Sequence, residues 1–475
     1  MKATFLTHKA IVCIQTILLF LTLWLVWYSH YYYTLCWLEG FSFFSTLPDF
    51  TCIQMDFPAD TFRYWGAYLL QFFRNPWLGA AIQSGLVTLV VVGLELLCFR
   101  LFKDARMLWL AFIPVPVLVA GQYGDITLER SVMWCVMVWG MVCLFYFPLK
   151  RLVKLPVPRW FRSWVWVLGL PLCLLGLSVY LLVGKDKDNA YQEELCCLDY
   201  HANHQEWSEI LQQVSPDEAQ KDEFKLRYVL LALSETGQLA DHLFKYGIKN
   251  CNQFLFYGSE DPFDRNFNAL FYRALEMPNE VIHQVYQQSL TSPFGFNFRS
   301  LRMLADTYLD LGNYPLANKY LEVLRHSSFH GDWVESRLPR LKELAACKSE
   351  NEVKEGAPFV GDFLETMTSL VSQYPTRAKF VDLWLCGVLA TKDAAYFYQA
   401  FQFVAPELYA HGERLPRYYE EALLLIALRD NQILERYHIS RESRQRFSEF
   451  MTLLQSGKLN AAKAKYPDSY WSYVF

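Results

Sequence analysis

The apolar positions of this chain fall into two regimes. Up to about Gly184 they form long unbroken runs, and beyond it they recur every three or four residues between charged ones. A helix needs about 20 mostly apolar residues to cross a hydrocarbon core. Residues 11–28, 77–99, 132–147 and 163–183 meet or approach that length. A fifth run, "MLWLAFIPVPVLVAGQYG" at 107–124, is shorter and is broken by Pro114 and Pro116. Membrane helices tolerate proline where neighbours satisfy the freed carbonyls. The pattern predicts five spans in residues 1–184 and a long aromatic loop at 29–76.

Charge bears on the fifth span and on orientation. With five spans and a cytoplasmic N-terminus, the inner segments hold Lys2, Lys9, Arg100, Lys103, Arg106, Lys150, Arg151, Lys154, Arg159 and Arg162. The outer loops hold only Arg63, Arg74 and Arg130. That asymmetry is the positive-inside pattern. Without the proline-containing span, "KRLVKLPVPRWFR" would lie outside. An odd number of spans sends everything after 184 to the extracytoplasmic side of an inner membrane. Trp77, Trp109, Trp160, Trp164 and Trp166 lie near predicted span ends, where interfacial anchors belong. The bulky "SHYYYTLCWLEG" after the first span offers no small-x-small cleavage site, so that span is expected to be a retained anchor. Within the long loop, "TFRYWGAYLLQFF" predicts a helix with Phe62, Trp65, Leu69, Leu70 and Phe73 on one side. It either lies in the interface or packs over the spans.

The second regime, 185–475, predicts a separate water-soluble helical domain. In "SLRMLADTYLDLGNYPLANKYLEVLRHSSFHG", starting at Ser300, two amphipathic helices meet at Gly312. Leu304, Tyr308, Tyr314, Ala317, Leu321 and Leu324 make the apolar stripe, and Gly312 supplies the positive φ of a helix end. With Tyr308 at the large position of the first helix and Ala317 at the small position of the second, the unit resembles a tetratricopeptide repeat. More degenerate pairs are read around Trp207, Gly237, Phe397–Phe401, "YYEEALLLIALRDNQILERY" and "RESRQRFSEFMTLLQSGKLNAAKAKYP". Stacked pairs bury a core only by covering one another. The expected fold is therefore all-α: a five-span transmembrane domain, 1–184, followed by an outward-facing tetratricopeptide-like α-solenoid, 185–475. "CKSENEVKEGAP" is the expected internal loop.

A second resemblance covers more of the chain. "FPADTFRYWGAYLLQFFRNPWLGA", from Phe57, and the C-terminal "YPDSYWSYVF" resemble segments of an uncharacterised, domain-of-unknown-function family of Bacteroidota multi-pass inner-membrane proteins. That resemblance implies an architecture and no activity.

Candidate chemistry is sparse. Residues 1–184 carry 13 Lys/Arg against 8 Asp/Glu, and the remainder 31 against 40. The acidic second part lacks the basic face that nucleic acid requires. There is no Walker loop, GxSxG, HExxH, or GxGxxG at a strand–helix junction. Glu39 and Asp56, with Asp49 and Asp60, lie in the first outer loop. Membrane glycosyltransferases acting on lipid-linked sugars carry a catalytic acid in such a place, and a solvated loop also carries acids for no special reason. His201 and His204, spaced i, i+3 beside Asp199, suit a shared metal, but no third ligand has fixed spacing. Two solvated histidines at a helix end are the plainer account. Cys36 and Cys52 share one loop and can pair in an oxidising compartment. Glu95, inside a span, is expected to reach toward Arg100. No cofactor is implied. The expected partners are the lipid bilayer and a protein or peptide held in the solenoid groove.

Overall fold

The computed structural model describes residues 2–48, 60–151, 161, 163, 165–184, 187–256, 261–346, 361–409 and 414–475. Among them every regular element is helical and there is no strand. By contacts the chain forms two compact units, Met1–Cys197 with Ser292–Asn351, and Leu198–Thr291 with Glu352–Phe475. This division does not follow the composition shift at Gly184. The hairpin that most resembles a repeat groups with the apolar spans.

In the first unit five helices are long and apolar enough to cross a membrane: Ala10–His30, Pro76–Phe102, Arg106–Tyr123, Glu129–Tyr146 and Val165–Gly184. The third begins as a 3-10 stretch, Ala105–Phe112, and continues as an α-helix, Val115–Tyr123. Pro114 and Pro116 sit at the change, and the Pro114 carbonyl still accepts from Leu118 N (2.9 Å). The fifth is an α-helix, Leu170–Val179, between two π-turns.

Two polar side chains of the first helix bond to other helices, which leaves no donor facing an apolar surround. Gln15 Nε2 donates to Val167 O (2.8 Å) and Thr16 Oγ1 to Glu95 Oε1 (2.8 Å). Glu95 therefore does not turn to Arg100, whose guanidinium lies over the Tyr146 ring instead (3.6 Å). Of the expected aromatic anchors, Trp77 is 44% exposed, whereas Trp109 is buried against Phe161 and Trp166. Trp160 and Trp164 lie outside the described residues.

The predicted loop helix forms as Asp60–Leu70, followed by a 3-10 turn, Gln71–Arg74. Leu70 and Phe73 are fully buried. At Gly66 a Cβ would collide with the Thr127 carbonyl oxygen, so glycine permits the helix to lie flush on the lead-in to the fourth span. Arg63 pairs with Glu129 (3.3 Å) across the same contact. This helix packs over the spans, one of its two expected settings.

The second unit is built from consecutive helix pairs. They include Glu223–Glu235 with Leu239–His242, Pro262–Ala274 with Pro278–Thr291, Phe363–Gln373 with Ala378–Leu389, and Ala394–Leu408 with Arg417–Ala427. Phe397 and Phe401 point into the core, fully buried, and Phe254 stacks on Phe363 (4.6 Å). The C-terminal Tyr470 and Trp471 are also fully buried. Glu421 holds them in place, accepting from Tyr470 N (2.7 Å) at its carboxylate and from Trp471 Nε1 (2.8 Å) at its carbonyl.

Candidate functional site

The long loop and the Gly312 hairpin meet in one buried polar cluster of the first unit. Glu39 ends the short helix Tyr32–Gly40. Glu193 caps the start of that helix, its carboxylate accepting from Tyr33 N (2.8 Å), Thr34 N (2.9 Å) and Thr34 Oγ1 (2.6 Å). An acid at a helix N-terminus satisfies donors that have no intrahelical partner. Burial raises the Glu193 carboxyl above its usual range, and these hydrogen bonds act against that. At the other end, Ser42 N and Oγ both donate to Glu39 O (3.0 and 2.8 Å), turning the chain into the loop.

The hairpin closes on this loop. Phe298 N donates to Ser42 O (2.9 Å), and Thr46 N and Oγ1 both donate to His326 O (3.0 Å each). Ser328 N donates to Gln71 Oε1 (3.1 Å). Phe43 meets Phe298 and Phe72 meets Phe329 edge-on, with ring centroids 5.3 and 5.1 Å apart. His330 then lies with its ring against Phe298 (4.0 Å), and Arg302 bonds its Nδ1.

Glu39 is 7% exposed and His330 1%. Glu39 Oε1 and His330 Nε2 approach to 3.0 Å, off the hydrogen-bonding direction, so neither atom has a hydrogen-bond partner. Burial lowers the His330 pKa, as do the Arg302 and Arg74 charges, and Glu39 raises it. Burial thus favours the neutral imidazole, and its approach to Glu39 is a close polar contact without a hydrogen bond. Arg299 lies over the Phe41 ring (4.8 Å). The cluster is thus one buried carboxylate among arginines, shielded from solvent. It joins two segments distant in sequence, with Glu39 and His330 both buried.

His201 and His204 do not converge. His201 Nδ1 faces Glu206 Oε2 (2.7 Å), and its Nε2 faces the Gln213 amide (3.1 Å). His204 Nδ1 faces Tyr200 O (2.8 Å), with its ring stacked on Tyr200 (4.1 Å). No group of three metal-ligating side chains occurs among the described residues. The neighbouring Asp199 is fully buried and accepts from Asn203, Tyr228 and Asn266. Asp56 and Cys52 lie outside the described residues. Burial, with Glu39 and Glu193 nearby, pushes the Cys36 thiol up to about 12.

The hairpin helices are Phe298–Asp310 and Tyr314–Arg325, and Gly312 has φ +74°. Leu304, Ala317 and Leu324 are fully buried, Leu321 nearly so, and Tyr308 stacks on Tyr320 (5.6 Å). Tyr314, however, is 37% exposed. Residue reading missed His330, Arg302, Arg299 and Glu193. Each partners a residue far away in sequence, and no local spacing marks such a pair.

Among the described residues every regular element is helical, and five helices have the length and apolarity to cross a membrane, which fits a multi-pass membrane protein. The chain belongs to a family of unknown function, DUF6057, whose model matches residues 7–184 and 125–475. No curated protein and no solved structure matches it.

Proposed function

We propose that this protein is a membrane-anchored helical scaffold of the cell envelope. Its tetratricopeptide-like helix pairs would bind a protein or peptide partner on the extracytoplasmic side of the inner membrane. The observation that carries this reading over a lipid-linked-sugar enzyme is the burial of Glu39. A catalytic acid must meet its substrate, whereas Glu39 closes a packed contact with the hairpin. The Lys/Arg bias supports the orientation. Paired helices offer faces to extended or helical segments. In the second unit, Tyr286 and Leu290 lie four apart on the helix Pro278–Thr291, 41% and 86% exposed, and form a small apolar contact face.

The full chain, solubilised in detergent, should retain a stoichiometric protein partner. Leu290→Asp should release it and Glu39→Gln should not. Loss of an envelope glycan or lipid product on Glu39→Gln, in a protein that still melts normally, would instead establish the enzyme. A phosphatase fused after Lys187 should be active and one after Lys154 inactive, and the reverse pattern would refute the orientation.

A further inference from the structure

A cleft of about 220 Å³ opens in the first unit between the span helices Pro76–Phe102, Val115–Tyr123 and Glu129–Arg151. Its walls are apolar: Leu86, Val87, Val90, Val117 and Leu118. Its rim is polar and lies at one end of the helices. There Gln122 Nε2 donates to Gln83 O (2.8 Å), and Ser131 N and Oγ donate to the Asp125 carboxylate (2.9 and 3.0 Å). Trp134, 46% exposed, borders it.

Arg130 sets the chemistry of the rim. It is exposed, and its guanidinium donates to the neutral Gly124 carbonyl (2.7 Å). The neighbouring acids are engaged elsewhere, Glu129 with Arg63 and Asp125 with Ser131. Among the described residues Arg130 is in no ion pair, so its guanidinium is available to an anion beside the apolar cleft. Gln122, 3% exposed, has an Oε1 with no partner. Pockets that bury most of a drug-sized ligand measure about 300–1,000 Å³. A smaller cleft among bilayer-spanning helices suits a guest that lies partly in it and partly in lipid.

We infer that this cleft is a binding site for an anionic phospholipid. One acyl chain lies along Leu86, Val90 and Val117, and the phosphate is held by Arg130. Arginine suits this role because its planar fork pairs with phosphate oxygens. A zwitterionic lipid would fill the apolar walls equally well but would bring a cation to the rim beside Arg130.

The test uses the full chain in nanodiscs of phosphatidylethanolamine with a minor fraction of phosphatidylglycerol. Native mass spectrometry should find phosphatidylglycerol retained in preference to phosphatidylethanolamine. Arg130→Gln should reduce that preference by about five- to tenfold, and Arg130→Lys should restore part of it. Gly121→Leu should also displace the lipid with Arg130 intact. A Cβ at Gly121 meets open space, and leucine favours the helix, so this variant keeps the fold. Inorganic phosphate alone should not compete. In wild-type protein, phosphatidylglycerol with a photoreactive acyl chain should label peptides from 76–102 and 106–123. Labelling spread evenly over all five spans, equal retention of the two lipids, or indifference to both Arg130→Gln and Gly121→Leu would overturn the site. Displacement by inorganic phosphate would reassign it to a free anion.

Discussion

Buried charged and polar residues show what individual side chains contribute. Asp199 and Glu421 are fully buried in the second unit and Asp382 is half-buried there, and each has named hydrogen-bond donors or charged neighbours, as burial of a carboxylate requires. Asp382 is the least compensated. Burial pushes its carboxyl up to about 6, and the hydrogen bond from the Tyr419 hydroxyl (2.7 Å) only partly opposes this. The folded chain then holds this proton more tightly than the unfolded one. Its contribution is most favourable below about pH 4 and falls as pH rises to about 6, beyond which it is constant. Asp382→Asn keeps an acceptor for Tyr419 and removes the charge. In detergent at about pH 7.5 the variant should be the more stable, by up to about 2–3 kcal/mol. The gap should close toward about pH 4. Thermal unfolding of the full chain across that range measures both. A variant less stable at neutral pH, or a gap independent of pH, would contradict the assignment.

At the level of elements, the hairpin Phe298–Arg325 was legible because two local signals agree, an apolar stripe and Gly312 at the turn; the structure adds Asn297 and Asn313 as caps of the two helices. The pair Pro262–Ala274 and Pro278–Thr291 was not legible. Its turn residue with positive φ is Glu276 (φ +53°), so no glycine marks it. Buried Asn266 and Asn268 also interrupt its apolar face. In the hairpin, Ala317 is fully buried between helices whose stacked Tyr308 and Tyr320 leave no slack. Ala317→Phe should overpack it and destabilise the chain by about 1–3 kcal/mol. Hydrogen exchange over 298–325 should accelerate in that variant, while exchange over 378–427 should not change. Unaltered exchange in the hairpin would show that the site tolerates bulk and that the packing register is different.

At the level of the molecule, four of the spans could be read from apolar run length, and the proline-broken run at 107–124 needed the charge pattern as well. The grouping of residues 292–351 with them could not be read from either. The contacts that make that grouping are Phe298 N to Ser42 O, Thr46 to His326 O, Ser328 N to Gln71, and His330 against Glu39. Each joins a helix that looks self-sufficient to a loop that looks like a connector, and neither partner carries a mark of the other. A fragment of residues 185–475 keeps every helix of the hairpin but removes Phe43, Phe72, Gln71 and Glu39. That leaves Phe298, Phe329, His330 and Arg302 without the groups that cover them. Polar groups in such a contact, once unpaired, disfavour the closed arrangement by about 1–3 kcal/mol each, and the exposed aromatics add a drive to associate. The second unit's own core, including Phe397, Phe401, Tyr419 and Trp471, is unaffected by the cut. The fragment should therefore be helical by circular dichroism, with exchange protection over 378–427 equal to that in the full chain. Residues 298–330 should exchange faster than in the full chain and be cut first by a protease. Equal protection of the hairpin in the two proteins would mean that it folds and holds itself without the loop. The contacts at Ser42, Gln71 and Glu39 would then be incidental to its stability.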